Sequence, residues 1–439
     1  MAKTRTSLAA ALAASTLLAA PLQAQDYGTF DGYTLRVKLI GGAQYEPLYT
    51  LIPEWEKATG AKVEILSRKS HFELDREMKQ DIAAGNIGYC VFSSHTNFAP
   101  QYNAMNQPLN DLIPAEVVAE FSPLVIQHAT VDGQLMSLPR HSDVSNMYYV
   151  KSLYEDADNK AKFKERFGYD LTPPETWDQA SDQAIFFANP PDRYGTHFAG
   201  KDEAITGRFY EMLVADGGKL LNDDFTAAFN SPEGVMALNW FVNLYREKAV
   251  PAGTTNYVWD DLGLGFAAGA VAYDLDWAGW AAFFNGKDSK VAGNVGVALA
   301  PKGAGGKRTG WSGSHSFSIT QSCDNKEAAA SLIMFLTSHD AQMMEARSGL
   351  LPTRTKVWDD VTAEFEAKGD TFMVEVFKVF GESMREHAFT PPLIPEWGEI
   401  SNALWPQLQA AILGDKTAEE ALNEAAEEVN QIMTDAGYN

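Results

Sequence analysis

YTLRVKLIGGAQYEPLYTLIPEWEKATGAKVEILSRKSHFELDREMKQDIAAGNIGYCVF, residues 33–92, switches its hydrophobic period repeatedly, and those switches set the fold class. Residues 33–40 alternate like a strand, after which Leu48, Leu51, Ile52 and Trp55 recur at helical spacing until Gly60 stops them. Residues Val63 to Leu66 read as a second strand, and Leu74, Met78 and Ile82 then mark one face of a second helix. Beyond Gly88 the apolar YCVF reads as a third strand. Strand, helix, strand, helix, strand is the pattern of an α/β lobe with right-handed crossovers.

Working outward, the chain opens with Lys3 and Arg5, an uncharged run from Leu8 to Ala20, and the small-residue end Pro21-Leu22-Gln23-Ala24. This is the pattern of a secretory signal peptide over residues 1–24, and the apolar run is shorter than the roughly 20 residues a bilayer span requires. No cysteine stands near the cleavage point to carry a lipid, so the expected location is periplasmic and unanchored. Removing the leader leaves 415 residues, too many for one hydrophobic core, so two lobes are expected. The net charge of −23 makes nucleic acid and anionic membranes poor partners. The two cysteines, Cys90 and Cys323, exclude a disulfide-built scaffold. An oxidising compartment allows them to pair, while unpaired buried cysteine is an ordinary core residue, and the sequence leaves both open.

The second half continues in the same style with no internal repeat. Thr176 and Gln179 have capping-box spacing, Ser231-Pro232-Glu233 opens a helix with Val235, Leu238, Phe241, Val242 and Tyr245 on one face, and Thr417 with Glu420 caps a last helix carrying Leu422, Val429 and Met433. PKGAGGKRTGWSGS, residues 301–314, has neither a Walker pattern nor a strand followed by a helix opening, and reads as a crossover loop between lobes.

Several segments, in order, resemble extracellular solute-binding protein family 1. They are Asp132-Gly133-Gln134 to Pro139, Met147-Tyr148-Tyr149-Val150-Lys151, Pro173-Pro174-Glu175-Thr176-Trp177-Asp178, Asp216-Gly217-Gly218 and Phe229 to Glu233. Phe266 to Gly269, Trp277, Ala300 to Gly303, and Gly349 to Pro352 with Arg354 complete the set. Val150 stands where the family usually has Asn, and Gly88-Tyr89-Cys90-Val91 lacks a usual Asp. The resemblance implies a two-lobed periplasmic binding protein fold with a hinge and an interlobe cleft, the first lobe from 30–141 and 306–355, the second from 142–305 and 356–439. It also implies the role of an ABC importer's solute-binding subunit: a monomer that captures a sugar, polyol or glycoside and delivers it to the membrane permease.

Sugars present hydroxyls at their edges and C–H patches on their faces, so their sites combine fixed polar groups with an aromatic platform. Family position marks Trp277 as that platform, beside Asp274, Asp276 and Trp280, with only one of the two aspartates expected to face the cleft. GWSGSHSFSIT offers Trp311, Ser312, Gly313 and His315 in a loop before a strand, and Arg140, His141 and Asp143 follow the turn proline at the first crossing. First-lobe loops add Gln44, Tyr45 and Glu46, His71 and Phe72, and Ser94, His95 and Asn97. Arg140, Arg354 and Arg385 would suit an acidic group on the solute. His71, His95, His141 and His315 lack metal-ligand spacing, so neither a metal nor another cofactor is expected. An exported carbohydrate-active hydrolase is the alternative class, but no nucleophile elbow or paired catalytic signature is present. N-terminal sequencing of the protein exported by its native host should begin at Gln25; an intact Met1 contradicts the leader assignment.

Overall fold

The computed structural model describes residues 26–42 and 44–438, and the leader with its cleavage point lies outside the described residues. The strands are β1 (Thr34–Ile40), β2 (Lys62–Lys69), β3 (Val91–His95), β4 (Thr130–Val131), β5 (Gln134–Leu135), β6 (Leu138–Val150), β7 (Tyr273–Trp277), β8 (Val295–Ala298), β9 (Gly310–Ile319), β10 (Leu351–Pro352) and β11 (Ala388–Phe389). The opening βαβαβ pattern is present: β1 pairs in parallel with β2 and β3, and its Leu35, Val37 and Leu39 are fully buried. Gly60 ends the helix Ile52–Thr59 at φ 74°, a left-handed conformation that glycine adopts without a Cβ clash. The helix His71–Ala84 docks through Leu74 and Met78, whereas Ile82 stays 39% exposed on its last turn.

The main sheet runs β10-β6-β9-β3-β1-β2, and it holds the molecule together through two long strands. The first half of β6, Leu138 to Val144, pairs antiparallel with β9, while its second half, Ser145 to Val150, pairs with β7 and β8. Conversely, β9 pairs with β3 over Gly-free residues His315 to Ile319 and with β11 at Gly310 and Trp311. Residues 310–314, read from sequence as loop, are therefore strand. A Cβ on Gly310 would collide with Val144, and one on Gly313 would lie 2.6 Å from His95, so these glycines admit close neighbours. Arg140 sits at a register shift between Pro139 and His141, which lets β6 bend where it leaves the first lobe.

Separate cores flank this frame. Leu35, Trp55, Phe317 and Leu332 belong to the first, and Trp177, Phe209, Phe241 and Trp397 to the second. Tyr148, Phe266 and Phe380 belong to a third core behind β6 to β8. Helix starts follow the sequence reading: the Thr176 and Ser231 hydroxyls accept from Gln179 and Gly234 N–H, and Thr417 with Glu420 forms a capping box. Among the described residues no helix is long and apolar enough to cross a membrane.

Cys90, just before β3, and Cys323, just after β9, form a disulfide across a sequence separation of 233 residues, resolving what the sequence left open. Closing so long a loop constrains the unfolded chain, so a Cys90→Ser/Cys323→Ser variant should lose about 2–5 kcal/mol in denaturant unfolding. Unchanged stability would show that the bond adds nothing to the already paired β3 and β9.

Candidate functional site

A cavity of about 360 Å³ lies between the lobes, within the range of small-molecule sites. Its first-lobe wall is built by strand register. His95 on β3 pairs across to His315 on β9, and His315 pairs across to His141 on β6, so three imidazoles form one row over three adjacent strands. Their ring centroids lie 4.7 Å apart at both steps. Asp143, two residues beyond His141, lies opposite Gly313, and its carboxylate comes 3.5 Å from Nε2 of both His141 and His315. His71, opening its helix, stacks on His95 at 5.0 Å, and Phe72 stacks on His71 at 4.4 Å. Tyr45 stacks on His141 at 5.6 Å and brings its hydroxyl to 3.4 Å from His315 Nε2.

The facing wall comes from the second lobe. Trp277 ends β7 and meets Trp259, the first residue of the helix Trp259–Ala267, edge to face at 5.1 Å and 73°. The half-buried pair makes an aromatic corner opposite the histidine row. Lys201, Asp202 and Glu203, at the start of the helix Asp202–Ala215, and Asp260 complete this side. Across the cleft, Asn97 Nδ2 donates to Glu203 Oε1 at 3.1 Å, and Trp397 Nε1 donates to the same oxygen at 3.3 Å.

Burial governs the titration here. Desolvation raises Glu203 from 4.5 to about 8, outweighing its two donors, and raises Asp260 in the same direction. Burial lowers His71 to about 4 and, with neighbouring imidazoles, holds His95 and His315 well below the usual range. His71, His95 and His315 are thus neutral at pH 7.

Of the residues singled out from sequence, Tyr45, His95, Asp143, Trp277, Trp311, Gly313 and His315 line the cavity, with Gln44, His71, Phe72 and Asn97. Trp311 does so by its edge, since only 2% of it is exposed and it packs against Tyr210, Phe389 and Trp397 over Gly207. The others lie elsewhere, each for a physical reason. Glu46 pairs with Arg68 at 3.0 Å on the surface. Arg140 is 1% exposed and held by Glu345 at 2.6 Å, the Tyr49 hydroxyl and the Tyr45 carbonyl, as a buried cation requires. Arg354 is likewise committed to Glu120, to the Thr337 carbonyl and to the face of Phe121.

Asp274 and Asp276 lie within β7 and, two residues apart, share one face, so instead of one facing the cleft both are fully buried and off the cavity. Asp274 meets His197 at 3.0 Å, and Asp276 accepts from Trp277 N–H at 2.8 Å. Trp280 stacks on Phe284 at 5.9 Å in the third core and occupies the space that Gly263 leaves. The Ser312 hydroxyl donates to the Asp143 carbonyl at 2.8 Å. Buried Ser94 lines a smaller crevice beneath His71. Trp259 was not singled out, although VWDD is a visible helix start whose Asp261 caps back to Val258 N–H.

Residues 41–343 match the family described as bacterial extracellular solute-binding protein. Similar proteins include a putative binding protein of Brucella abortus, 24% identical over 82% of each chain. The mannitol-binding protein of Pseudomonas aeruginosa is 24% identical over 76% of this chain and 77% of its own. Maltose-bound T. maritima MalE3 superposes with a TM-score of 0.79 at 26% identity, covering 91% of this chain and all of that one.

Because the folded pKa of Glu203 lies near 8, above its ordinary 4.5, the stability it contributes is fully present below about pH 4.5 and lost as pH rises through about 8. Glu203→Gln keeps an oxygen for Asn97 and Trp397 but cannot ionise. Between pH 5 and 9 the parent protein should lose stability relative to this variant, on the order of a few kcal/mol by denaturant unfolding. Parallel pH profiles would contradict the burial argument.

Proposed function

The chain belongs to the bacterial extracellular solute-binding protein family, and on that premise we propose that its cleft captures a neutral, polyhydroxylated solute of mono- or disaccharide size for an ABC importer. The observation that carries this reading is the pairing of an aromatic corner, Trp277 against Trp259, with a wall of uncharged imidazoles and a carboxylate. An apolar sugar face lies on the corner, while hydroxyls meet His95, His315, Asn97 and Asp143. A volume of about 360 Å³ favours a small solute over a long oligosaccharide. Mannitol and maltose, named for two similar proteins, belong to this chemical class.

The charge distribution argues against an anionic solute. Arg140 and Arg354 are buried in ion pairs away from the cavity, and Arg385 is exposed on the helix Thr371–Glu386. At the cavity Glu73, Asp143, Asp202 and Asp260 outnumber Arg76 and Lys201. In the proposed cycle the lobes rotate about β6 and β9, the closed form is delivered to the permease, and no bond in the solute is broken. The protein acts as a periplasmic monomer. Product release from an oligosaccharide by the purified chain would instead support the hydrolase alternative.

Thermal-shift screening against sugars, polyols and sugar acids should single out neutral members, since tight binding raises stability by RT ln(1 + [L]/Kd). For the solute so found, Trp277→Ala should weaken calorimetric binding by about ten- to a thousandfold with little change in ligand-free melting. Retained affinity with a collapsed melting temperature would make Trp277 a core residue and leave Trp259 as the platform.

A further inference from the structure

We propose that His95, Asp143 and His315 form a site for one divalent transition-metal ion of the zinc type, set in the first-lobe wall with one coordination position open to the cleft. The donors arrive from three neighbouring strands, β3, β6 and β9, whose register is fixed by backbone pairing. One ligand atom from each lies within 4.8 Å of the other two. Donors about 2.0–2.1 Å from a tetrahedral zinc stand about 3.3 Å apart. His315 Nε2 and Asp143 Oδ2, at 3.5 Å, already hold nearly that spacing.

His95 completes the set by turning its ring, giving up a 3.2 Å bond that its Nδ1 accepts from Asn97 N–H. Gly313 makes room for this ring, because a Cβ there would come within 2.6 Å of His95 Cε1.

Supporting groups surround the three donors. His141 Nε2 stands 3.5 Å from the same Asp143 oxygen, placed to orient that carboxylate as outer partners of metal ligands do, whereas the Tyr45 hydroxyl, 3.4 Å from His315 Nε2, would yield that nitrogen to the ion. Both ring nitrogens of His141 and Nε2 of His71 are buried without a hydrogen bond, although buried polar atoms are normally satisfied. His141 is 1% exposed. An ion at the centre of the cluster would meet the imidazole nitrogens that now crowd one Asp143 oxygen at 3.5 Å without hydrogen-bonding it. Two imidazoles and one carboxylate suit zinc, cobalt or nickel rather than calcium or magnesium, which prefer all-oxygen sites. A second grouping, half-buried Glu382 and His387 with exposed Glu386, lies at one helix end and serves as the internal control.

The test uses the full chain, stripped with chelator and free of solute, titrated with Zn²⁺ by calorimetry and with Co²⁺ by visible absorption. One equivalent should bind, Co²⁺ should give a low-symmetry four-coordinate spectrum, and Ca²⁺ should not compete. His95→Ala and His315→Ala should each weaken Zn²⁺ binding by at least about a hundredfold, and Asp143→Asn, which keeps the size and one oxygen, by at least about tenfold. Glu386→Ala/His387→Ala should bind as the parent does. The absence of Zn²⁺ binding tighter than about 1 mM, or binding lost only in the Glu386→Ala/His387→Ala variant, would overturn the assignment. Ligand-free melting of each variant separates loss of the site from loss of the fold. Because the metal alone is the probe, the outcome does not depend on which solute the cleft takes.

Discussion

The antiparallel pairing of β6 with β9 is the constraint from which the rest of the structure follows. Leu138 to Val144 of β6 lie against Ser312 to Phe317 of β9, and each strand then continues into contacts with the second lobe. Because both crossings are strands rather than loops, the two lobes share one hydrogen-bonded frame. That frame also fixes the site: the row His95, His315, His141 exists only in this register, and a slip of one residue would turn every member to the opposite face. Close packing of the row depends on Gly310 and Gly313, where added side chains would meet Val144 and His95.

Charge is distributed by the same logic. Cations within the frame are neutralised where they are buried, Arg140 by Glu345 and Arg208 by Glu211, so neither reaches the cleft as a free charge. Removing either partner would strand a buried ion, an error costing several kcal/mol, and so these pairs tie function to folding. The cleft is left with neutral imidazoles, acids whose charge burial disfavours, and two half-buried tryptophans. A surface of that composition recognises hydroxyl groups and C–H faces better than it recognises a full negative charge.

Much of this was legible in the sequence. Period switches over residues 33–92 identified β1 to β3 and their helices, because alternation and helical spacing report burial directly. Capping residues Thr176, Ser231 and Thr417 stood where the helices begin, since those side-chain oxygens satisfy backbone donors locally. The errors arose where tertiary pairing decides. Glycine and serine in GWSGS signal a loop by propensity, yet the neighbouring strands bury every residue of β9. Arg140 and Arg354 look like ligand clamps until Glu345 and Glu120, more than 200 residues distant in sequence, come into contact. His95, Asp143 and His315 lie far apart in sequence and meet only through sheet register, so the ligand set proposed above has no spacing to read along one helix or loop.

Under the proposed function the cleft is a moving capture site whose walls close on a solute through the shared strands. Small-angle scattering of the mature protein, with and without a saturating concentration of the solute found by screening, tests it most directly. A smaller radius of gyration in the solute-bound state is the result predicted. An unchanged radius at proven saturation would contradict closure about β6 and β9 and leave a rigid binding groove in its place.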